Sequence, residues 1–71
     1  MIVTAENREQ YFRSQNKFYV AGWVANEQCE LPQSLPESCR DNPVVVKQYQ
    51  DYIAGYGDCV ANIECLSANI V

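Results

Sequence analysis

The chain has 71 residues, 48% of them hydrophobic and 20% charged, with a formal net charge of −4. That length holds a single domain, residues 1–71, and the composition excludes a disordered chain. The longest apolar run, residues 18–25, is far short of the roughly 20 residues that cross a bilayer, so no membrane partner is expected.

The charge is unevenly spread. Arg8, Arg13, Lys17, Arg40 and Lys47 are the five bases, and beyond them come Asp51, Asp58 and Glu64 with no base. An acidic C-terminal half repels phosphate backbones, which argues against nucleic-acid binding. Nine carboxylates scattered over the chain are also too few to imitate a nucleic acid. They read as a solvated surface that keeps a small protein soluble.

At the N-terminus Glu6, Arg8 and Glu9 follow Ala5 directly, leaving no apolar signal-peptide core. The expectation is a cytoplasmic protein. If Met1 is an addition to a mature chain, the alternative is a secreted or periplasmic one.

Thr4 before Ala5-Glu6-Asn7-Arg8-Glu9 looks like a helix start, with Thr4 as cap and Glu6 at the positive end of the dipole. The helix is expected over 5–15, with Asn16 as its stop. Residues 17–25 are rich in aromatic and β-branched side chains and read as a strand apolar on both faces. A single helix from Thr4 through Gln28 is the competing reading. Gly22 and the polar run Ser14-Gln15-Asn16-Lys17 stand against it.

A lone strand needs a partner. Inside the chain only residues 2–4 and 68–71 offer one; otherwise the same strand of a second molecule would pair with it and make a homodimer. Residues 26–42 form a long connection stiffened by Pro32 and Pro36 and framed by Cys29 and Cys39. Asp41-Asn42-Pro43 then signals a helix start.

Val45, Tyr49, Tyr52, Ile53, Tyr56, Val60, Ile63 and Ile70 follow at spacings of mostly three, four or seven, the period of an amphipathic helix. Gly55 could end one helix and Asp58 cap the next, so two helices over 43–67 are expected, with one kinked helix as the alternative. The sequence shows no evident internal repeat. The fold class predicted is α+β, a helix, one strand, a proline loop and a C-terminal helical region, with all-α as the alternative. Its core would comprise Phe12, Phe18, Val20, Trp23, Val45, Tyr52, Ile53, Val60 and Ile63.

Cys29, Cys39, Cys59 and Cys65 have neither the tight knuckles nor the histidines of a zinc site, and no C-x-x-C occurs. No metal and no cofactor is expected. The four are disulfide candidates in an oxidising compartment and free thiols in a reducing one. On one helix, Cys59 and Cys65 would be separated by a rise of roughly 9 Å and could not pair with each other. The spacing leaves the pairing open.

The absence of histidine removes the commonest general base. The best nucleophile is Cys59, if a helix begins there, but Asp58 beside it opposes the thiolate. A non-enzymatic role follows. Tyr49, Tyr52 and Tyr56 lie on one helical stripe with Asp51 beside it, and tyrosine suits protein interfaces. Tyr49, Asp51, Tyr56 and Asp58 are therefore the candidate partner-binding residues. The function expected is a small acidic protein-binding module, an inhibitor or regulator of a larger protein. The alternative is a secreted disulfide-stapled effector, toxin or ligand.

Overall fold

The structure, a computed structural model, describes residues 2–68. It contains α1 (Arg8–Arg13), α2 (Lys17–Glu27), a 3-10 turn (Glu37–Cys39) and α3 (Pro43–Ala68), with no strand among the described residues. The α+β expectation is overturned, and the fold is all-α.

The polar run set against a single helix from Thr4 through Gln28 does interrupt it, as a break between α1 and α2, and 17–25 is nonetheless helical. Asn16 does not stop the first helix; it caps the second, its side chain accepting from the Phe18 and Tyr19 backbone N–H groups at 3.0 and 2.9 Å. α1 is shorter than expected. Asn7 is its N-terminal cap residue, but its side chain instead accepts from Thr4 N–H and donates to the Ile2 carbonyl, holding the entering chain in a turn. α2 ends on Cys29, whose φ of +60° is left-handed. The Glu30 N–H bonds the Ala25 carbonyl and the Cys29 N–H the Asn26 carbonyl, which closes the helix before the proline segment.

Gly22, the second objection to a helix, has a packing role. A Cβ on Gly22 would overlap the Tyr52 carbonyl of α3, and one on Gly55 would overlap the Tyr19 carbonyl of α2. The two helices thus cross parallel with backbone against backbone, Asn16 at the start of α2 beside Asp51 and Glu27 at its end beside Cys59. The crossing pairs Tyr19-Val20-Ala21-Gly22-Trp23 with Tyr52-Ile53-Ala54-Gly55-Tyr56. The two segments share a pattern, tyrosine, β-branched residue, alanine, glycine, aromatic, so a short internal repeat does exist and meets itself about a local two-fold axis.

α3 is one helix of 26 residues, not two. Asn42 caps it by accepting from Val44 and Val45 N–H, and Pro43 takes the first position. Gly55 does not end it, because the close packing on α2 occurs there. At 1.5 Å per residue α3 is about 39 Å long, and it sets the long dimension of a body measuring 45 × 22 × 17 Å.

The core is Val3, Tyr19, Trp23, Ala25 and Cys59, with Tyr11 and Phe12 packed against it. Trp23, 2% exposed, lies 5.3 Å from Tyr11, 6.3 Å from Phe12 and 6.4 Å from Tyr19 between ring centroids. Trp23 and Phe12 were expected there. Ile53, Val60 and Ile63 were expected in the core and are 38%, 38% and 47% exposed, Ile53 and Val60 on the side of α3 turned away from α2 and Ile63 on the open wall of the cavity beside Trp23 and Glu27.

Pairing of a 17–25 strand between two molecules has no basis, since that segment is helical. Of the two short partner segments, 2–4 is an extended stretch clamped on α3, not a strand: Asn62 accepts from Val3 N–H at 2.7 Å and donates to its carbonyl at 2.9 Å. Asn69, Ile70 and Val71 lie outside the described residues.

Candidate functional site

The proline segment leaves α2 and folds back across the N-terminal half of α3. Two tyrosines hold it. The Tyr52 hydroxyl accepts from Gln33 N–H at 3.3 Å, and the Tyr56 hydroxyl donates to the Glu30 carbonyl at 2.7 Å. Between segment and helix lies a groove of about 200 Å³ lined by Phe18, Leu35, Pro36, Val45, Tyr49 and Tyr52, with Gln33, Ser34 and Gln48 at its edge. Phe18, Leu35, Val45, Tyr49 and Tyr52 are all half-buried.

Tyr49 stacks on Tyr52 with ring centroids 6.3 Å apart. Tyr11 and Tyr19 share a hydrogen bond, and Tyr52 and Tyr56 hold the loop. Tyr49 is the tyrosine whose hydroxyl has no partner among the described residues. The Gln33 and Gln48 side-chain amides and the Ser34 hydroxyl are likewise free there. An apolar floor with unpaired amides and hydroxyls on its rim suits a short peptide segment, whose side chains fill the floor and whose backbone meets the rim.

The other candidate residues serve the fold. Asp51 accepts from Lys47 at 2.6 Å and from Asn16 at 3.2 Å, tying α3 to the start of α2. Asp58 accepts from the Tyr19 hydroxyl, which also bonds Tyr11. Burial and then the Asp58 bond push the Tyr19 hydroxyl well above the ordinary tyrosine value, so it stays protonated and donates. A second cavity, of about 280 Å³, lies beside Tyr11, Asp58 and Asn62. Its polar groups are already taken by Tyr19 and Val3. The structure thus brings Tyr49 to an open groove and separates it from Asp51, Tyr56 and Asp58. Sequence reasoning missed Phe18, Leu35 and Pro36 as lining residues. The signal for them was the proline pair facing an aromatic stripe.

Cys59 is not at a helix start. It lies within α3, 1% exposed, and burial, followed by the Glu27 charge, pushes its thiol up. Glu27 is held by Arg8 through two bonds, at 2.9 and 2.6 Å, and by the Trp23 indole N–H at 3.1 Å. All four cysteines are free thiols: Cys29 and Cys65 exposed, Cys39 half-buried and Cys59 buried. Among the described residues no group of three or more Cys, Asp or Glu could hold a metal ion, and no helix is long and apolar enough to cross a membrane. The chain matches no protein-family model, no curated protein and no solved structure.

Proposed function

We propose that this chain is a non-enzymatic protein-binding module that takes a short apolar segment of a larger protein into the groove between the proline segment and α3, as an inhibitor or regulator of that protein. The observation that carries the reading is Tyr49. It is half-buried on the groove wall, stacked on Tyr52, with a hydroxyl that no described residue engages. Tyrosines of this kind supply contact area at low entropy cost and one directional hydrogen bond. The net charge of −4 favours partners whose surface around the segment is basic.

The test is a selection from a random displayed-peptide library against the native chain, followed by binding measurements on Tyr49→Ala. Enriched apolar sequences should lose about tenfold or more in affinity on Tyr49→Ala, while its melting temperature stays close to that of the native chain. A library that yields no binder, or binders indifferent to Tyr49→Ala, rules the groove out.

A further inference from the structure

We propose that the outward face of α3 is a self-association surface, on which α3 of a second copy docks antiparallel about a two-fold axis at Gly57. The surface is separate from the groove, and the proposal stands independently of it.

The starting point is an unexplained glycine. Gly22 and Gly55 admit the backbone of the opposing helix, whereas a Cβ on Gly57 meets nothing within 4 Å. Gly57 is exposed in the middle of a long helix, where glycine is unfavourable and nothing in the chain requires it. Around it on the same exposed arc stand Ile53 and Ala54 one turn before, and Val60 and Ala61 one turn after. Ile53 and Val60 are each 38% exposed. Gln50 and Glu64 complete the arc two turns away on either side.

A two-fold axis at Gly57 sets Ile53 opposite Ala61 of the second copy, Ala54 opposite Val60, and Gln50 opposite Glu64. Each β-branched side chain meets an alanine, so the helices can approach closely at the glycines. The Glu64 carboxylate meets the Gln50 amide, which can donate to it, with Lys47 nearby on the rim. A parallel pair would set Glu64 against Glu64 and Ile53 against Ile53. The charge and size pattern therefore selects both the occupant, a chain carrying the same pattern, and its direction. One helix pair lies at the small end of specific interfaces, so the dimer is reversible and concentration-dependent.

Sedimentation of the native chain from about 10 μM to about 1 mM should show the mass rising toward twice that of the chain. Gly57→Lys places two like charges at the axis while improving helix propensity. It should remain monomeric throughout, with an unchanged helical circular dichroism spectrum. A native chain that stays monomeric at the highest concentration overturns the proposal, and so does a Gly57→Lys chain that dimerises like the native one. Direction is read from spin labels on Cys65, with Cys29→Ser and Cys39→Ser made first. The antiparallel pair separates the labels by about 24 Å along the axis, and a separation of one helix diameter, about 10 Å, overturns it.

Discussion

Gly55 and Gly57 are two residues apart on one helix and face opposite environments. The inner face of α3, through Gly55, Cys59 and Asn62, makes the fold: backbone lies on backbone at the glycine, the thiol is sealed beneath Trp23, and the amide clamps Val3. The outer face, through Ile53, Gly57 and Val60, makes no such contact among the described residues, although Ile53 and Val60 are large and apolar. Hydrophobicity alone does not identify the buried side of a helix when the contact is made by glycines. At the crossing the contact is selected by the absence of side chains on Gly22 and Gly55, which lets two helices approach to backbone distance, while Ile53 and Val60 remain outside.

The sharpest way to break this contrast is to add one methyl group on each face. Gly22→Ala or Gly55→Ala forces a Cβ into a carbonyl of the opposing backbone, which no rotamer change relieves, so α2 and α3 must separate. The expected loss is about 3 kcal/mol or more, measured by urea denaturation. If either variant unfolds at the native midpoint, the helices do not cross as described.

This crossing also explains what was legible in the sequence. The Asn42-Pro43 start of α3, the helical period beyond it, the burial of Trp23 and the long proline connection were all readable, because capping and periodicity are local. The helicity of 17–25 was not. Its β-branched and aromatic residues favour a strand, and Gly22 reads as a helix breaker until Gly55 is placed against it. The decisive signal, the repeat of Tyr19–Trp23 in Tyr52–Tyr56, spans 33 positions and acquires meaning only through tertiary packing. The same holds for the site. A stripe of tyrosines was visible, but which hydroxyl stays free depends on where the segment carrying Glu30 and Gln33 folds back, and no local pattern encodes that.

The next largest effect tests the polar part of the inner face. Asn62 satisfies both backbone groups of Val3, which is 5% exposed. Asn62→Ala leaves a buried donor and acceptor without partners and should cost about 2 kcal/mol. Hydrogen exchange at the Val3 amide should accelerate more than exchange in α2. Unchanged protection of that amide would show that the N-terminal segment is held by other means.

On the outer face the sign reverses. Gly57→Ala, measured at concentrations dilute enough to keep the chain monomeric, should raise stability by about 0.5–1 kcal/mol, because the new methyl meets open space and alanine is the better helix former. A loss there would mean that Gly57 carries an intramolecular constraint, and the distinction between the faces would fail.

The smallest expected effect concerns the ion pair at the rim of the inner face. Arg8 and Glu27 are 19 positions apart and join the start of α1 to the end of α2, unlike the Glu9–Arg13 and Lys47–Asp51 pairs, which span single turns. The Arg8 hydrogen bonds hold the Glu27 carboxyl below its usual value, against a smaller opposing effect of burial, and the Arg8 charge and the Trp23 bond lower it further. A carboxyl depressed in the folded state releases its proton more readily there than in the unfolded chain. Its contribution is therefore complete above the unfolded value and is lost as pH falls through the lower folded one. Side-chain exposures of 43% for Arg8 and 30% for Glu27 admit water and salt, so the contribution is about 0.5 kcal/mol, not the larger value of a buried pair. Between pH 5 and pH 3 the native chain should lose about that much more stability than Glu27→Gln, which has no carboxyl to protonate, and added salt should narrow the difference. Parallel stability curves for the two proteins over that range would show that the pair does not couple α1 to α2.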